Sequence, residues 1–307
     1  MIYLVSGGGS SIVEKPIDDE MSLEDLVATY RALVLSGAPI SEINTIRKHL
    51  SAVKGGRLAQ AAYPAHQVSL LVSDVPDHTP DALALGPTMP DPTTAEDCHR
   101  IAEKYDLLPQ LPNSARGMFE RRALEETPKS DDHAFYRARW WPLLSNRTAV
   151  EAAQEHAQAA GFVVHVDNSC DDWDYGRAVE YLLKKLRDLQ KKFGGVCLLS
   201  GGEVTVKVAN GGVGGRNQQF ALACAREITG ENITVLSAGT DGIDGNSPAA
   251  GAVVDGSTTG RSELAGLNAH AALERFDAYP FFKTIGDAIE TGATGNNVRD
   301  LRILLTY

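Results

Sequence analysis

The sequence predicts an α/β protein: two Rossmann-like α/β domains with mostly parallel sheets and a cleft between them. Three observations predict it. Short apolar runs alternate with segments of helical periodicity along the whole chain. Four of the apolar runs end in serine and open into a small or acidic loop: LVSGGGS (4–10), LLVSDVP (70–76), LLSGGE (198–203) and VLSAGTDG (235–242). The length of 307 residues, 43% of them hydrophobic, supports one large or two medium domains with sizeable cores.

The elements follow in order. Ile2–Ser6 reads as a strand that breaks into Gly7, Gly8 and Gly9. Ser22 caps a helix with an acidic residue three positions on, and Leu23, Leu26, Val27, Tyr30, Leu33 and Val34 recur at helical spacing until Gly37. Ser41 begins a second helix through about Val53, closed by Lys54-Gly55-Gly56. Val68–Ser73 is a strand, and a proline-rich loop from Val75 to Thr94 follows; a loop that long in a compact domain is functional or disordered. A helix over Ala95–Tyr105, an irregular charged stretch to about His133, the apolar segment Trp140–Ser145, a helix from Thr148 and the strand Phe162–Val166 continue the alternation. Gly176–Phe193 is amphipathic, with Val179, Leu182, Leu183, Leu186 and Leu189 on one face and its lysines on a solvated one. Strands are then expected at Val196–Ser200, Val204–Ala209, Ile233–Ser237 and Ala249–Val254, with a helix from Asn217. The expected domains are 1–185 and 186–307.

Composition excludes several functions. The net charge is −11, from 29 basic and 40 acidic residues, which disfavours general binding to nucleic acid or anionic membrane. No apolar stretch is long enough to span a bilayer, and the start lacks a signal-peptide pattern. Cys98, Cys170, Cys197 and Cys224 are scattered without a C-x-x-C pair, Cys197 in an apolar run that reads as core. The expectation is a soluble, cytoplasmic protein in a reducing compartment, with no nucleic-acid or membrane partner.

The serine-ended loops carry the chemistry. In open α/β sheets, ligands bind beyond the carboxyl ends of the strands, where glycine lets backbone N–H groups approach an anion. Each loop alone reads first as a tight turn; four at one kind of position point to a shared, anion-holding site. Gly211-Gly212-Val213-Gly214-Gly215-Arg216-Asn217 is the sharpest case. Arg216 stands at a helix start, where a guanidinium clamps a phosphate with two hydrogen bonds or, alternatively, pairs with an acid and pins the turn. Asp74, Asp241 and Asp244 lie in strand-end loops, suited to holding Mg²⁺, accepting a hydroxyl proton, or simply closing a turn. No histidine spacing supports zinc, and there is no G-x-S-x-G, Walker P-loop or dinucleotide fingerprint.

Longer motifs carry a resemblance. The run Ser41-Glu-Ile-Asn-Thr-Ile-Arg-Lys-His-Leu-Ser-Ala-Val-Lys-Gly-Gly-Arg-Leu-Ala, SDVP (73–76), GPTMPDPTT (86–94), SGGEVTVKV (200–208), GGRNQQ (214–219), GTDGIDG (239–245) and TGATGNNVRDL (291–301) resembles the glycerate 2-kinase family, whose C-terminal part is called the MOFRL domain. The match runs in order through essentially the whole chain. It implies transfer of the γ-phosphoryl group of ATP to the 2-hydroxyl of D-glycerate with Mg²⁺. It also implies roles: Arg216, Lys54 and Asp241 in catalysis; Ser6, Gly7, Gly8, Gly9, Ser10, Lys48, Ser73, Asp74, Gly201, Gly202, Glu203, Asn217 and Asn297 around substrate or phosphate; Asp74 and Asp241 toward the metal. Family members carry about a quarter more chain at the N-terminus. Asp77 and Leu85 stand where glycine and serine are usual, and Ala293 and Asn296 replace proline and threonine. A sheet lacking its first strands exposes an edge, so dimerisation or low solubility and weak or absent kinase activity are expected. Two alternatives are a hydroxypyruvate reductase, a label the family has also carried, and a silent relative that only binds a ligand or partner.

Overall fold

The structure is a computed structural model that describes residues 1–208 and 211–307. The chain divides into two compact units, Met1–Leu143 and Leu144–Tyr307.

In the first unit, β1 (Ile2–Ser6) leads through Gly7 and Gly8 into a single helical turn, α1 (Gly9–Ile12). The expected capped helix is α2 (Leu23–Leu35): the Ser22 hydroxyl accepts the Asp25 N–H at 3.0 Å, and Leu26 and Leu33 are buried. The next helix, α3 (Ile40–His49), starts one residue before Ser41, after Pro39, and ends short of Val53. Residues 50–56 turn into α4 (Arg57–Ala62). β2 (Gln67–Val72) pairs in parallel with β1, Ile2 opposite Val68 and Ser6 opposite Val72. The long proline-rich loop is tied down by backbone bonds: Gly55 and Gly56 donate to the carbonyls of Leu85 and Gly86 at 2.9 and 2.7 Å. A Thr94–Asp97 capping box opens α5 (Ala95–Lys104). After α6 (Asn113–Glu120), β3 (Ala138–Leu144) completes a sheet of order β1-β2-β3. The core lies among α2, α3, α5 and α6 and includes Leu26, Ile46, Leu50, Cys98 and Met118. β1 is an edge strand, with Ile2 and Leu4 exposed.

The second unit begins with α7 (Asn146–Ala159), β4 (Val163–Val166) and α8 (Tyr175–Phe193). β5 (Val196–Gly201), α9 (Arg216–Glu227), β6 (Ile233–Gly239) and β7 (Gly251–Asp255) follow, then α10 (Thr258–Leu264), α11 (Ala269–Glu274), α12 (Ala278–Ile285), β8 (Ala288–Ile289) and β9 (Asp300–Thr306). The sheet order is β4-β5-β9-β6-β7-β8. β4 and β5 are parallel, whereas β9 runs antiparallel to both β5 and β6, and β7 runs antiparallel to β6 and β8.

The α/β class holds, but the second sheet is mixed rather than mostly parallel. Strands β4, β5 and β6 run in one direction, as the alternation with helices predicts. The last strand, absent from the expected elements, inserts between β5 and β6 from the opposite direction. The units divide at Leu143/Leu144 instead of 185/186, because β4 pairs with β5 and the apolar face of α8 packs on the second core. The expected strand Val204–Ala209 is not one through Val208: only Thr205 bridges, to Asp174, and Ala209 lies outside the described residues. The pairing stops at that bridge, made by the Thr205 N–H to the Trp173 carbonyl at 2.8 Å and the Tyr175 N–H to the Thr205 carbonyl at 3.0 Å, and Tyr175 already opens α8. Helices α8, α9, α11 and α12 cover one face of this sheet with Leu182, Leu186, Phe220 and Phe282, and α7 covers the other with Val150.

Candidate functional site

The four serine-ended strands fall as two pairs, one in each unit. In the second unit the pair is joined by a residue the sequence reading passed over. Ser200 on β5 and Ser237 on β6 both stand opposite Arg302 of β9, and all three are fully buried. Arg302 Nη2 donates to the carbonyls of Gly201 and Gly202 at 2.8 and 3.1 Å, and its guanidinium lies over the Phe220 ring. Burial pushes its pKa down, against the pull of Asp300 and Asp171. Ser237 donates to Asn217 Oδ1 at 2.6 Å, whereas the Ser200 hydroxyl has no partner among the described residues.

In three of the loops expected to cradle a ligand anion, side chains of the protein itself approach the glycines. At the start of α9, Asp244 accepts the N–H groups of Asn217 and Gln218 at 3.1 and 2.8 Å, capping the helix from a distant loop. Gly215 is required there, because a Cβ would strike that carboxylate. Asp244 is buried, and burial raises its pKa to about 6 despite those hydrogen bonds. In the SGGE turn, the Gly201 N–H goes to Asn168 Oδ1 at 2.8 Å and the Glu203 N–H to Asp171 Oδ1 at 2.9 Å. In the first unit, a side chain at Gly7 would collide with the Asp74 carboxylate. At Gly7, Gly202 and Gly215 the space a side chain would need is taken by an internal aspartate: Asp74, Asp171 and Asp244.

Arg216, the first residue of α9, forks onto Asp300 through Nε and Nη2 at 2.5 and 3.0 Å and reaches Glu203 at 2.8 Å. Asp300 is buried, while about a third of the Arg216 side chain, 35%, remains exposed. Burial alone would lower the arginine pKa; Asp300 and Glu203 outweigh it and raise it. Burial, with Asp300 and Asp171 nearby, also raises the Glu203 pKa against two arginines. Arg299 adds a second fork, onto Asp171 at 2.6 and 2.7 Å. Arg216 therefore makes the ion pair that one sequence reading foresaw, yet still faces a cavity of about 360 Å³. The cavity is walled by Val206, Val208, Phe276 and the glycine turn. Asn217 is buried with its side chain spent on Ser237 and Asp244, so it shapes this site from beneath. Asn297 accepts the Arg299 N–H at 2.9 Å, and Asp241 accepts that of Ile243 at 3.0 Å.

In the first unit, Lys48 lies buried between Asp91 at 3.2 Å and Asp81 at 2.9 Å. Burial raises the Asp91 pKa, but Lys48 and the hydrogen bonds from Thr93 and Thr127 hold it below the usual carboxylate range. Lys54 is sealed: it pairs with Glu14 and donates to the Val13 carbonyl at 3.0 Å. Burial lowers its pKa, and Glu14 opposes that. Glu14 also takes the hydroxyls of Tyr30 and Ser51, so this ammonium pins a loop and is closed to an incoming ligand. Ser73 closes a turn on Val75, Ser6 is exposed, and the Ser10 carbonyl accepts from Arg47 at 3.1 Å. No group of three or more His, Cys, Asp or Glu among the described residues is placed to hold a metal ion, and Asp74 and Asp241 belong to different units.

Asp171, Asp300, Arg299 and Arg302 form the framework of this site without having been singled out. Arg299 and Asp300 lay inside the quoted TGATGNNVRDL motif; the alternation Asp300-Leu-Arg302-Ile-Leu304 was the available strand signal.

Residues 1–120 match the family described as Domain of unknown function (DUF4147), and residues 196–300 match the MOFRL family. The D-glycerate 2-kinase of Thermotoga maritima is 38% identical over 99% of this chain and 71% of its own. A protein of Agrobacterium vitis that bears a hydroxypyruvate reductase name is 40% identical over 99% of this chain and 69% of its own. A crystal structure of glycerate kinase from Thermotoga maritima superposes with a TM-score of 0.89 at 37% identity, covering all of this chain and 72% of that one. The order of motifs, the fold and this extent of identity together show that the chain belongs to the glycerate kinase family.

Proposed function

We propose that this chain is an ATP-dependent glycerate 2-kinase. The observation that carries the reading, beyond family membership, is Arg216: a guanidinium held in a fixed plane by Asp300, part-exposed, and lining a cavity. In phosphoryl transfer the 2-hydroxyl oxygen of D-glycerate attacks the γ-phosphorus. The bond to the bridging oxygen breaks, ADP leaves, and the hydroxyl proton passes to a base. Charge spreads over the equatorial oxygens, and a guanidinium stabilises it; with Nε and Nη2 of Arg216 held by Asp300 and Glu203, Nη1 is the nitrogen that meets the phosphoryl group. Arg216 takes that role, with Asp241 the candidate proton acceptor. Lys54 and Lys48 act through the loops they pin to Glu14, Asp81 and Asp91. No protein cage is assigned to Mg²⁺; it enters the proposal only as the companion of the nucleotide phosphates.

A coupled ADP-release assay with D-glycerate tests the reading. ADP formed in step with 2-phosphoglycerate supports it. ADP no faster than in the absence of D-glycerate refutes it and leaves a ligand-binding relative. The reductase reading is weaker, since no G-x-G-x-x-G follows a strand here; NADH fluorescence on adding hydroxypyruvate is expected to stay unchanged.

The proposed assembly is a homodimer. Ile2 and Leu4 are exposed on the edge strand β1, and the exposed Ile12, Val34 and Leu35 line a groove of about 620 Å³ along α2 and α3. Light scattering at the mass of one chain would refute this. The proposed location is cytoplasmic, supported by four free, buried cysteines. No helix of the described residues is long and apolar enough to cross a membrane.

A further inference from the structure

Four helices of the second unit, α7, α10, α11 and α12, end in one way. After α7, α10 and α12 the chain enters the left-handed region at Gly161, Gly266 and Gly286, with φ of 90, 72 and 79°. Each time, two backbone bonds close the helix; at Gly266, for example, they run from Gly266 to Glu263 and from Leu267 to Ser262, both 2.9 Å. After α11 the same two bonds form, from Phe276 to Leu273 and from Asp277 to Ala272, yet the left-handed residue is Phe276, at φ 54°. Glycine is the natural occupant, and a bulky residue in that conformation is strained. In the first unit Asp106 and Arg122 take the equivalent position, but they are polar and exposed. Phe276 is half-buried and lines the cavity that Arg216 faces. A phenylalanine is thus held at the cavity wall against the backbone preference of its own position, a pattern that marks functional sites.

The rest of the cavity fits that ring. Val206 and Val208 line it as well, together with the turn through Gly212, Gly214 and Gly215 and the amide side-chain residues Gln219 and Asn246. Arg216 is the cation at its border. At about 360 Å³ it is far too large and too apolar to be shaped for a three-carbon hydroxy acid, which needs charged partners on all sides. We propose that this cavity takes the heteroaromatic base of the nucleotide donor, seated against Phe276, with the phosphates directed to Arg216. The inference rests on the kinase reading above and assigns its donor-binding site.

The test is Phe276→Gly, which removes the ring and relieves the backbone, so folding is not at risk; Phe276→Tyr keeps an aromatic face. Titration calorimetry with Mg·ATP measures binding without turnover, and melting temperature is read on the same preparations. The expected result is ATP binding weakened about tenfold or more in Phe276→Gly and kept within about twofold in Phe276→Tyr, the range typical of base–aromatic stacking. The melting temperature should not fall, and the KM for D-glycerate should stay near the parent's. Equal ATP affinity in parent and Phe276→Gly would overturn the inference. So would a parent that binds no ATP, or a glycine variant whose defect lies in D-glycerate instead. A parent that binds ATP in a Phe276-dependent way but releases no ADP with D-glycerate overturns the kinase reading alone.

Discussion

Replacing Asp244 by asparagine separates the electrostatic cost of this carboxylate from its hydrogen bonds. In the folded protein Asp244 ionises near pH 6 instead of its usual 3.8, with burial the largest cause. That difference corresponds to about 3 kcal/mol, good to about a factor of two. The sign follows from which state holds the proton. Between pH 4 and 6 the folded chain keeps it while the unfolded chain has released it, so the stabilisation is complete below about pH 4. It is lost as pH rises through 6. Asparagine does not titrate. It also turns an amide N–H₂ toward the donors of Asn217 or Gln218, a penalty independent of pH. The informative quantity is therefore how the parent-minus-variant difference changes with pH. Between pH 4 and pH 7 the parent should lose about 2–3 kcal/mol relative to Asp244→Asn, or roughly 5–10 °C in the transition of the second unit. Scanning calorimetry of both chains in a pH series measures this, and the contributions of His49 and Glu203, common to both, cancel in the difference. A parent-minus-variant difference that stays flat from pH 4 to 7 would refute the reasoning.

Two further outcomes follow from the same network. Arg216→Lys keeps the charge but loses the fork on buried Asp300; kcat should fall at least tenfold while stability drops by about 1–2 kcal/mol, moderated by solvent at the part-exposed guanidinium. Unchanged kcat per folded molecule with a lower melting temperature would reduce Arg216 to a pin for the turn. Ser200→Ala removes a buried hydroxyl that has no partner among the described residues, so stability should hold or rise by about 1 kcal/mol; a loss above about 1 kcal/mol, read by urea denaturation, would reveal a hydrogen bond that Ser200 depends on.

The α/β class, the strands that end in serine and the glycine turn before Arg216 were all legible in the sequence, because they rest on local periodicity and on backbone conformations with narrow residue preferences. The Ser22 cap and the apolar face from Val179 to Leu186 formed as local spacing required. Arg216 and the SGGE turn could be found for the same reason: glycine and arginine at a strand-to-helix junction report local geometry. What fills those junctions was not local. Asp244, Asp300 and Asp171 reach the glycine turn, Arg216 and the SGGE turn from 27, 84 and 32 positions away. No spacing rule ties a loop to a carboxylate so distant. β9 decided the rest. A short strand with arginine at its centre carries a weak signal in isolation. Only once β5 and β6 close on either side of it does Arg302 become buried, Asp300 meet Arg216, and a run of like-directed strands become a mixed sheet. The sequence determined which junctions would be built for an anion; the tertiary structure decided that the protein's own aspartates occupy them, because desolvated N–H groups take the nearest acceptor that folding brings.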